Sequence, residues 1–308
     1  MLNLSNLGEF ALIQKIRKLV GPPRGNLEVG LGDDAAVFSN SAKKTIVTTD
    51  MLIEGIHFDF RFGTPFEIGW QAMAANLSDI AAMAGWPLYA LVGIGARPNI
   101  AVAKVMAIYK GMLKLAKRFN CQIVGGDTVS TSGPFTISLT IIGFPLGKKI
   151  FLRSSAKPGD KILVTGWLGK ASLALREGKM IQPIPRLEEI KFLSTKLRIN
   201  ALIDLSDGLS SDLTRISEES KVGALIFEDK LPKGDAGEMA LNGGEDFELL
   251  MTTPEKKIEL IASQFKKRFN LPLSCIGEIR PGNYGLKIKY KDGREKRLEA
   301  RGYEHFKT

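Results

Sequence analysis

Six short segments of this chain carry carboxylates where an apolar run meets a turn or a helix start, and any fold must either solvate them or bring them together. They are "GLGDDAAVF" with Asp33 and Asp34, "VTTDML" with Asp50, "AANLSDIAAMA" with Asp79, "VGGDTV" with Asp127, "IDLSDGLSSDL" with Asp204, Asp207 and Asp212, and "NGGEDFELL" with Glu245 and Asp246. Most follow glycine or a small hydroxyl residue. Glycine permits tight turns and close ligand approach, and Ser or Thr beside Asp adds oxygen donors suited to a hard cation. Asp79 stands out because its surroundings are small and apolar, and Asn76 three residues earlier shares its helical face. An unpaired carboxylate on a buried face is costly, so a cation is a natural partner there. Each segment alone reads equally well as a turn or a helix cap. Six of them in a chain of formal net charge +10 point to carboxylates that hold divalent cations against a polyphosphate, with the positive surroundings offsetting anionic substrates.

The 308 residues suggest two domains. In the first half, residues 10–20 have apolar positions at helical spacing, stopped by "GPPRGN". "KKTIVTTDML" then reads as a strand, "PFEIGWQAMAANLSDIAAMA" as a helix closed by Gly85 to Pro87, "LYALVGIGA" as a strand, "IAVAKVMAIYKGMLKLAKRFN" as an amphipathic helix, and "CQIVGGDT" and "FTISLTIIGFP" as strands. A polar Pro-Gly turn in "SSAKPGDKILVTG" marks a boundary near Arg153, which places the domains at 1–150 and 151–308. Beyond it come a strand, a helix in "GKASLALREG", a strand running through a loop into a helix in "NALIDLSDGLSSDLTRISEES", and strands in "VGALIFEDKLP" and "FELLMTTP". The alternation is α/β or α+β.

Two cysteines, Cys121 and Cys275, lie among apolar residues and predict buried thiols; two histidines are too few for a histidine-based metal cluster. The sequence shows neither a membrane-spanning apolar run nor a signal-peptide layout, so a cytoplasmic location is expected. Basic residues are densest in "KIKYKDGREKRLEAR", where interleaved acids suggest a solvated edge strand and turn; neither nucleic acid nor membrane is expected as a partner. "VTGWLGKAS" imitates a phosphate loop, but only two residues separate its glycines and Ala171 follows Lys170, so it is not one.

In order along nearly the whole chain, "GDDAAV", "TTDMLIEGIHF", "NLSDIAAMA", "GGDT", "AKPGDKILVTG", "IDLSDGLSSDL" and "GGEDFELL" resemble the thiamine-monophosphate kinase family of the PurM-like superfamily, whose members bind ATP without a P-loop. The resemblance implies a ferredoxin-like N-terminal domain whose sheet pairs with its copy across a homodimer, and a C-terminal α/β domain. It implies several Mg2+ ions held by Asp34, Thr48, Thr49, Asp50, Asp79, Asp127, Asp204 and Asp207. ATP would meet Tyr109, Gly126, Asp127, Arg153 and Ser206, and thiamine monophosphate would meet His57, Glu245 and Tyr303. The implied reaction moves the ATP γ-phosphoryl onto thiamine monophosphate by direct in-line transfer, with no catalytic side chain beyond the metal set. One departure is visible: the family reads "AAMGA" after "NLSDI", whereas this chain has Ala84 and then Gly85. Among relatives in the superfamily, selenophosphate synthetase needs an N-terminal reactive residue and the hydrogenase-maturation dehydratase a C-terminal cysteine. Neither is present, which leaves aminoimidazole ribonucleotide synthetase as the alternative.

Overall fold

The computed structural model describes residues 25–29, 33–40 and 43–305, with Gln14 and Pro22. The helix expected over 10–20 lies outside the described residues except for Gln14, which is helical. The strands are β1 (Leu27–Val29), β2 (Ala36–Asn40), β3 (Lys43–Ile53), β4 (Gly85–Ala96), β5 (Gln122–Ser130), β6 (Thr136–Pro145), β7 (Lys161–Thr165), β8 (Leu202–Leu205), β9 (Val222–Phe227), β10 (Glu248–Thr253), β11 (Leu273–Pro281), β12 (Leu286–Lys289) and β13 (Glu295–Arg297). The α-helices are α1 (Pro65–Ala82), α2 (Val102–Arg118), α3 (Lys170–Arg176), α4 (Leu187–Lys196), α5 (Leu209–Ser220), α6 (Met239–Asn242) and α7 (Glu259–Phe269). A six-stranded sheet runs β1-β2-β3-β6-β4-β5, and a seven-stranded sheet runs β13-β12-β9-β11-β7-β10-β8. Among the described strands, only β4 with β5 and β9 with β12 pair in parallel.

Helix α1 organises the molecule. Thr64 starts it with a reciprocal cap, in which its hydroxyl accepts from the Glu67 N–H and the Glu67 carboxylate accepts from the Thr64 N–H, and Pro65 supplies the fixed φ of a first turn. Its alanine-rich sequence follows from burial on nearly every side. Leu77, Ile80 and Ala81 share one apolar core with Leu139 and Ile141 of the first sheet and with Leu202, Leu249 and Met251 of the second. The opposite face of the second sheet, through Ile162, Val164, Ile203 and Leu250, packs with Leu213 and Ile216 of α5 in a separate cluster. Alternation at period two along these short strands divides their side chains between the two cores.

Helices α1 and α2 touch backbone to backbone. A Cβ on Gly69 would lie 1.9 Å from the Ile108 carbonyl oxygen, and one on Gly111 would lie 1.9 Å from the Phe66 carbonyl oxygen. At the far end of α1 the departure noted in the sequence has a backbone meaning: Ala84 takes φ +49°, the left-handed conformation at which glycine ordinarily ends a helix, at a cost of roughly 1 kcal/mol. Gly85 is packed tightly, since its Cβ would come within 2.7 Å of the terminal Ile46 methyl and 3.1 Å of the Ile80 carbonyl oxygen. Strand β4 begins at Gly85, earlier than expected, and accommodates Pro87 at an irregularity in its register with β6.

The first sheet has an inner face on α1 and an outer face that is largely exposed. Along one row, Asp50, Leu139, Val92 and Gly126 point inward; along the next, Met51, Ser138, Gly93 and Asp127 point outward. The basic C-terminal stretch forms β12 and the exposed edge strand β13, as its composition predicts. Cys121 is buried, and burial pushes its thiol up to about 11; Cys275 departs from expectation in being only half buried. No helix among the described residues is long and apolar enough to cross a membrane.

Candidate active site

Three chain segments bring carboxylates to one point. Asp34 precedes β2, Asp79 lies in the last turn of α1 and Asp204 lies on β8, and one oxygen from each falls within 4.8 Å of the others. Asp79 accepts a 2.5 Å bond from the Thr48 hydroxyl on β3, and Asp204 accepts a 2.7 Å bond from the Ser78 hydroxyl on α1. The adjacent Ser78 and Asp79 therefore tie the helix end to both sheets. Burial, reinforced by neighbouring carboxylates, drives Asp79 and Asp204 well above the usual carboxylate range. Asp50 is pushed up to about 6 by burial and by the charge of Asp207, which places both at the edge of the same cluster.

Two arginines enter it. Arg153 grips Asp34 with two nitrogens, at 2.9 and 2.8 Å, while its backbone N–H donates to Asp33. Burial is the largest influence and opposes its charge, but Asp34, Asp33 and Asp204 together outweigh it and raise its pKa. Arg215 bridges Asp207 and Asp212. Asp212 accepts from the backbone N–H groups of Asp207 and Gly208, so it shapes the turn that presents Asp207. Burial lifts it to about 8. Asp33, Asp34, Asp50, Asp79, Asp204, Asp207 and Asp212 thus share a region with two guanidinium groups, an imbalance that a divalent cation would correct. Asn76 Oδ1, on the Asp79 face of α1, is buried without a hydrogen-bond partner among the described residues, a further uncompensated oxygen. Oxygens on opposite sides of a Mg2+ ion are about 4.2 Å apart. The donor set, all hard oxygen, fits such an ion with small adjustment.

The loop before β10 closes one side. Glu245 and Phe247 both adopt positive φ, +65° and +48°, held by hydrogen bonds from their N–H groups to the Ser206 and Leu205 carbonyls. Glu245 is pushed up to about 7, chiefly by burial, and the Gln71 side chain opposes this as a hydrogen-bond donor. Asp246 turns the other way and accepts from the Gly169 and Ala171 N–H groups at the start of α3. A carboxylate of the chain itself therefore fills the imitation phosphate loop. Glu248 accepts from Thr165 and Arg186. On the other side His57 meets His305, with their Nε2 atoms 3.2 Å apart, and the Tyr303 hydroxyl lies 3.1 Å from His305 Nδ1.

Family models for AIR synthase related protein match this chain in two parts, the N-terminal domain at residues 32–144 and the C-terminal domain at 126–289. The thiamine-monophosphate kinase of Bacillus subtilis is 35% identical over 332 residues, covering 98% of this chain and all of the relative, and that of Escherichia coli K12 is 34% identical with 98% and 99% covered. The chain belongs to the thiamine-monophosphate kinase family. Among solved structures, AaThiL complexed with AMPPCP and TMP matches with a TM-score of 0.82 at 30% identity over 99% of both chains. The thiamine-monophosphate kinase of Stenotrophomonas maltophilia matches at 0.72 and 32% identity, over 92% of this chain and 96% of the other. The hydrogenase maturation protein HypE, at 20% identity and a TM-score of 0.70, shares the fold.

Of the residues that the kinase family resemblance singles out, the structure brings Asp34, Thr48, Asp50, Asp79, Asp204, Asp207 and Arg153 into one cluster, with Ser206 and Glu245 alongside. It does not bring Thr49 or Asp127 there: both lie on the outer face of the sheet, and Thr49 bonds instead to Thr140 and to the Leu139 carbonyl. Gly126 has a structural reason of its own, since at φ +154° a Cβ would fall 1.8 Å from the Val92 carbonyl oxygen. Tyr109 follows Ile108, which packs on Gly69, ten residues or about 15 Å along α1 from Asp79. Arg215, Ser78, Gln71 and His305 are the additions. Two of them leave a cue: Ser78 stands beside Asp79, and Arg215 lies three residues after Asp212 on one helix face.

Proposed function

We propose that this chain is an Mg2+-dependent thiamine-monophosphate kinase that transfers the ATP γ-phosphoryl in line onto the phosphate of thiamine monophosphate, giving thiamine diphosphate and ADP. The observation that carries the metal-dependent reading is the convergence of Asp34, Asp79 and Asp204 from both halves of the chain. Mg2+ bound there would neutralise charge on the transferring group. Asp50 and Asp207 extend the oxygen set toward the open side, and Arg153 offers a guanidinium fork for a phosphate once Asp34 turns to a cation. Glu245, ionised, would pair with a cationic ring from one side, and Tyr303 and His57 would contact the acceptor from the other. The acceptor is a phosphate monoester and already nucleophilic near neutral pH, so positioning rather than proton removal is the chain's task.

The domain division at residue 150 is supported by the sheets, since β6 ends at Pro145 and β7 begins at Lys161. A homodimer is supported by the outer face of the first sheet, where Met51, Leu91 and Val129 are exposed and β5 is an edge strand among the described residues. A second copy laid on that face would cover Thr49 and Asp127. We place the enzyme in the cytoplasm.

The test is ADP release from ATP and Mg2+ with thiamine monophosphate, thiamine or formylglycinamidine ribonucleotide as acceptor. ADP in step with thiamine diphosphate, from thiamine monophosphate alone, is expected; ADP with formylglycinamidine ribonucleotide would reassign the chain to the synthetase branch. A second expectation concerns stability. The folded-state values of Asp50 and Asp212, about 6 and about 8, lie above the ordinary carboxylate range, so without metal the folded state binds the extra protons and loses stability as pH rises through that window. Mg2+ binds the ionised form. It should therefore raise the melting temperature clearly at pH 8 and little at pH 5, read by thermal melts; equal shifts at both would remove Asp50 from the metal site.

A further inference from the structure

The last described residues form a strap across the seam between the two halves. Three backbone N–H groups pin it to the start of α5: Arg301 donates to Ser210 Oγ at 3.2 Å, Gly302 to Ser211 Oγ at 2.9 Å and Tyr303 to the Asp207 carbonyl at 3.1 Å. Beyond the pins His305 reaches the loop after β3, where His57 sits. That loop is itself fixed, since the His57 N–H donates to the Ile53 carbonyl and Glu54 is held by Arg97.

The protons in this contact can be assigned. The Ile53 N–H lies 3.1 Å from His57 Nδ1, and a backbone N–H is only a donor, so Nδ1 carries no proton and the His57 proton is on Nε2. Nε2–H then donates to His305 Nε2, which must be bare, and the His305 proton is on Nδ1, facing the Tyr303 hydroxyl oxygen as acceptor. One backbone N–H thereby sets both tautomers. Burial and the neighbouring His305 ring also hold His57 below its usual range, which favours the neutral form that this pattern needs.

We infer that His305 is a positioning residue for the acceptor end of the site: it accepts from the His57 Nε2–H, which holds that ring in place, and orients the Tyr303 ring, coupling one substrate-facing group on the first half to one on the second. The inference rests on the kinase reading above, in which His57 and Tyr303 face thiamine monophosphate. His305 itself acts through those two residues.

The chain has two histidines, so ring ¹⁵N NMR of the whole protein shows two spin systems. His305 should report the Nδ1–H tautomer, the minor form of a free imidazole in water, and in H305N His57 should keep the Nε2–H tautomer that the Ile53 N–H sets while its Nε2 shift moves with the loss of its acceptor. A predominantly Nε2–H His305 overturns the assignment. In kinetics, H305A should raise KM for thiamine monophosphate roughly tenfold, the loss of about one to two neutral hydrogen bonds, with kcat and the KM for ATP within about twofold. H305N, which keeps a donor for Tyr303, should recover part of that loss. An unchanged KM in H305A overturns the positioning role. Wild-type protein that phosphorylates no thiamine monophosphate would instead strike the kinase reading, with the tautomers still decided by NMR.

Discussion

Replacing Asp79 with asparagine is expected to abolish turnover while leaving the metal-free protein folded and more resistant to heat. The two effects have one origin. Asp79 is buried beside Asp34, Asp50 and Asp204, and its ionised form is strongly disfavoured by burial and by their charges. Asparagine keeps an oxygen to accept the Thr48 hydroxyl, 2.5 Å away in the parent, and removes the charge. Without metal at pH 8 the fold should gain stability, because a like-charged group has left the cluster. With ATP and Mg2+ the missing negative charge should cost on the order of 4 kcal/mol of transition-state stabilisation, roughly a thousandfold in rate. Steady-state rates with Mg2+ and melts in chelator check both halves of the expectation. Parent-like turnover would exclude Asp79 from the site, and a lowered melting temperature would mean that its carboxylate is already paired.

The second large effect is structural. Gly111→Ala should destabilise the fold by about 3 kcal/mol, the upper end of overpacking penalties, because the added methyl meets the Phe66 carbonyl at 1.9 Å and the Trp70 N at 2.8 Å. These are backbone atoms and cannot rotate away, so α1 and α2 must separate. Since α1 carries Ser78 and Asp79 between the two sheets, the separation should also weaken Mg2+ protection against unfolding. Chemical denaturation with and without Mg2+ measures both; loss of stability with undiminished Mg2+ protection would show that the carboxylate end of α1 does not follow its start.

The centre of the site was legible because each of its carboxylates sits in a segment whose local pattern is unusual, as with Asp79 among alanines or Asp204 and Asp207 after a buried strand. The start of α1 was legible for the same reason, Thr64, Pro65 and Glu67 forming a local signal. Other features were decided elsewhere. Helices α4 and α7 begin without a side-chain cap, and their apolar positions interleave with many lysines and glutamates. The face on which Asp127 lies depends on a register irregularity between β4 and β5 at Ala90 and Leu91, and one residue of slip would turn it inward. Asp246 looks like part of a binding motif and instead caps α3, a contact across 77 and 75 residues. The His57 and His305 rings are 248 residues apart, and no local pattern announces their meeting.

Helix α1 is buried against both sheets in one continuous core, and its end is stapled to β3 by Asp79 and to β8 by Ser78. A kinase built on two lobes usually shuts by swinging one against the other about a hinge, which shields the phosphoryl group from water. Here such a swing would tear apolar side chains out of a shared interior. The floor of the candidate site is therefore barred from such a movement, and shielding would fall to its rim, where the strap from Arg301 to His305 and the "GGEDF" loop lie. Discrimination against water as acceptor should accordingly be set at the thiamine end of the site rather than at the nucleotide.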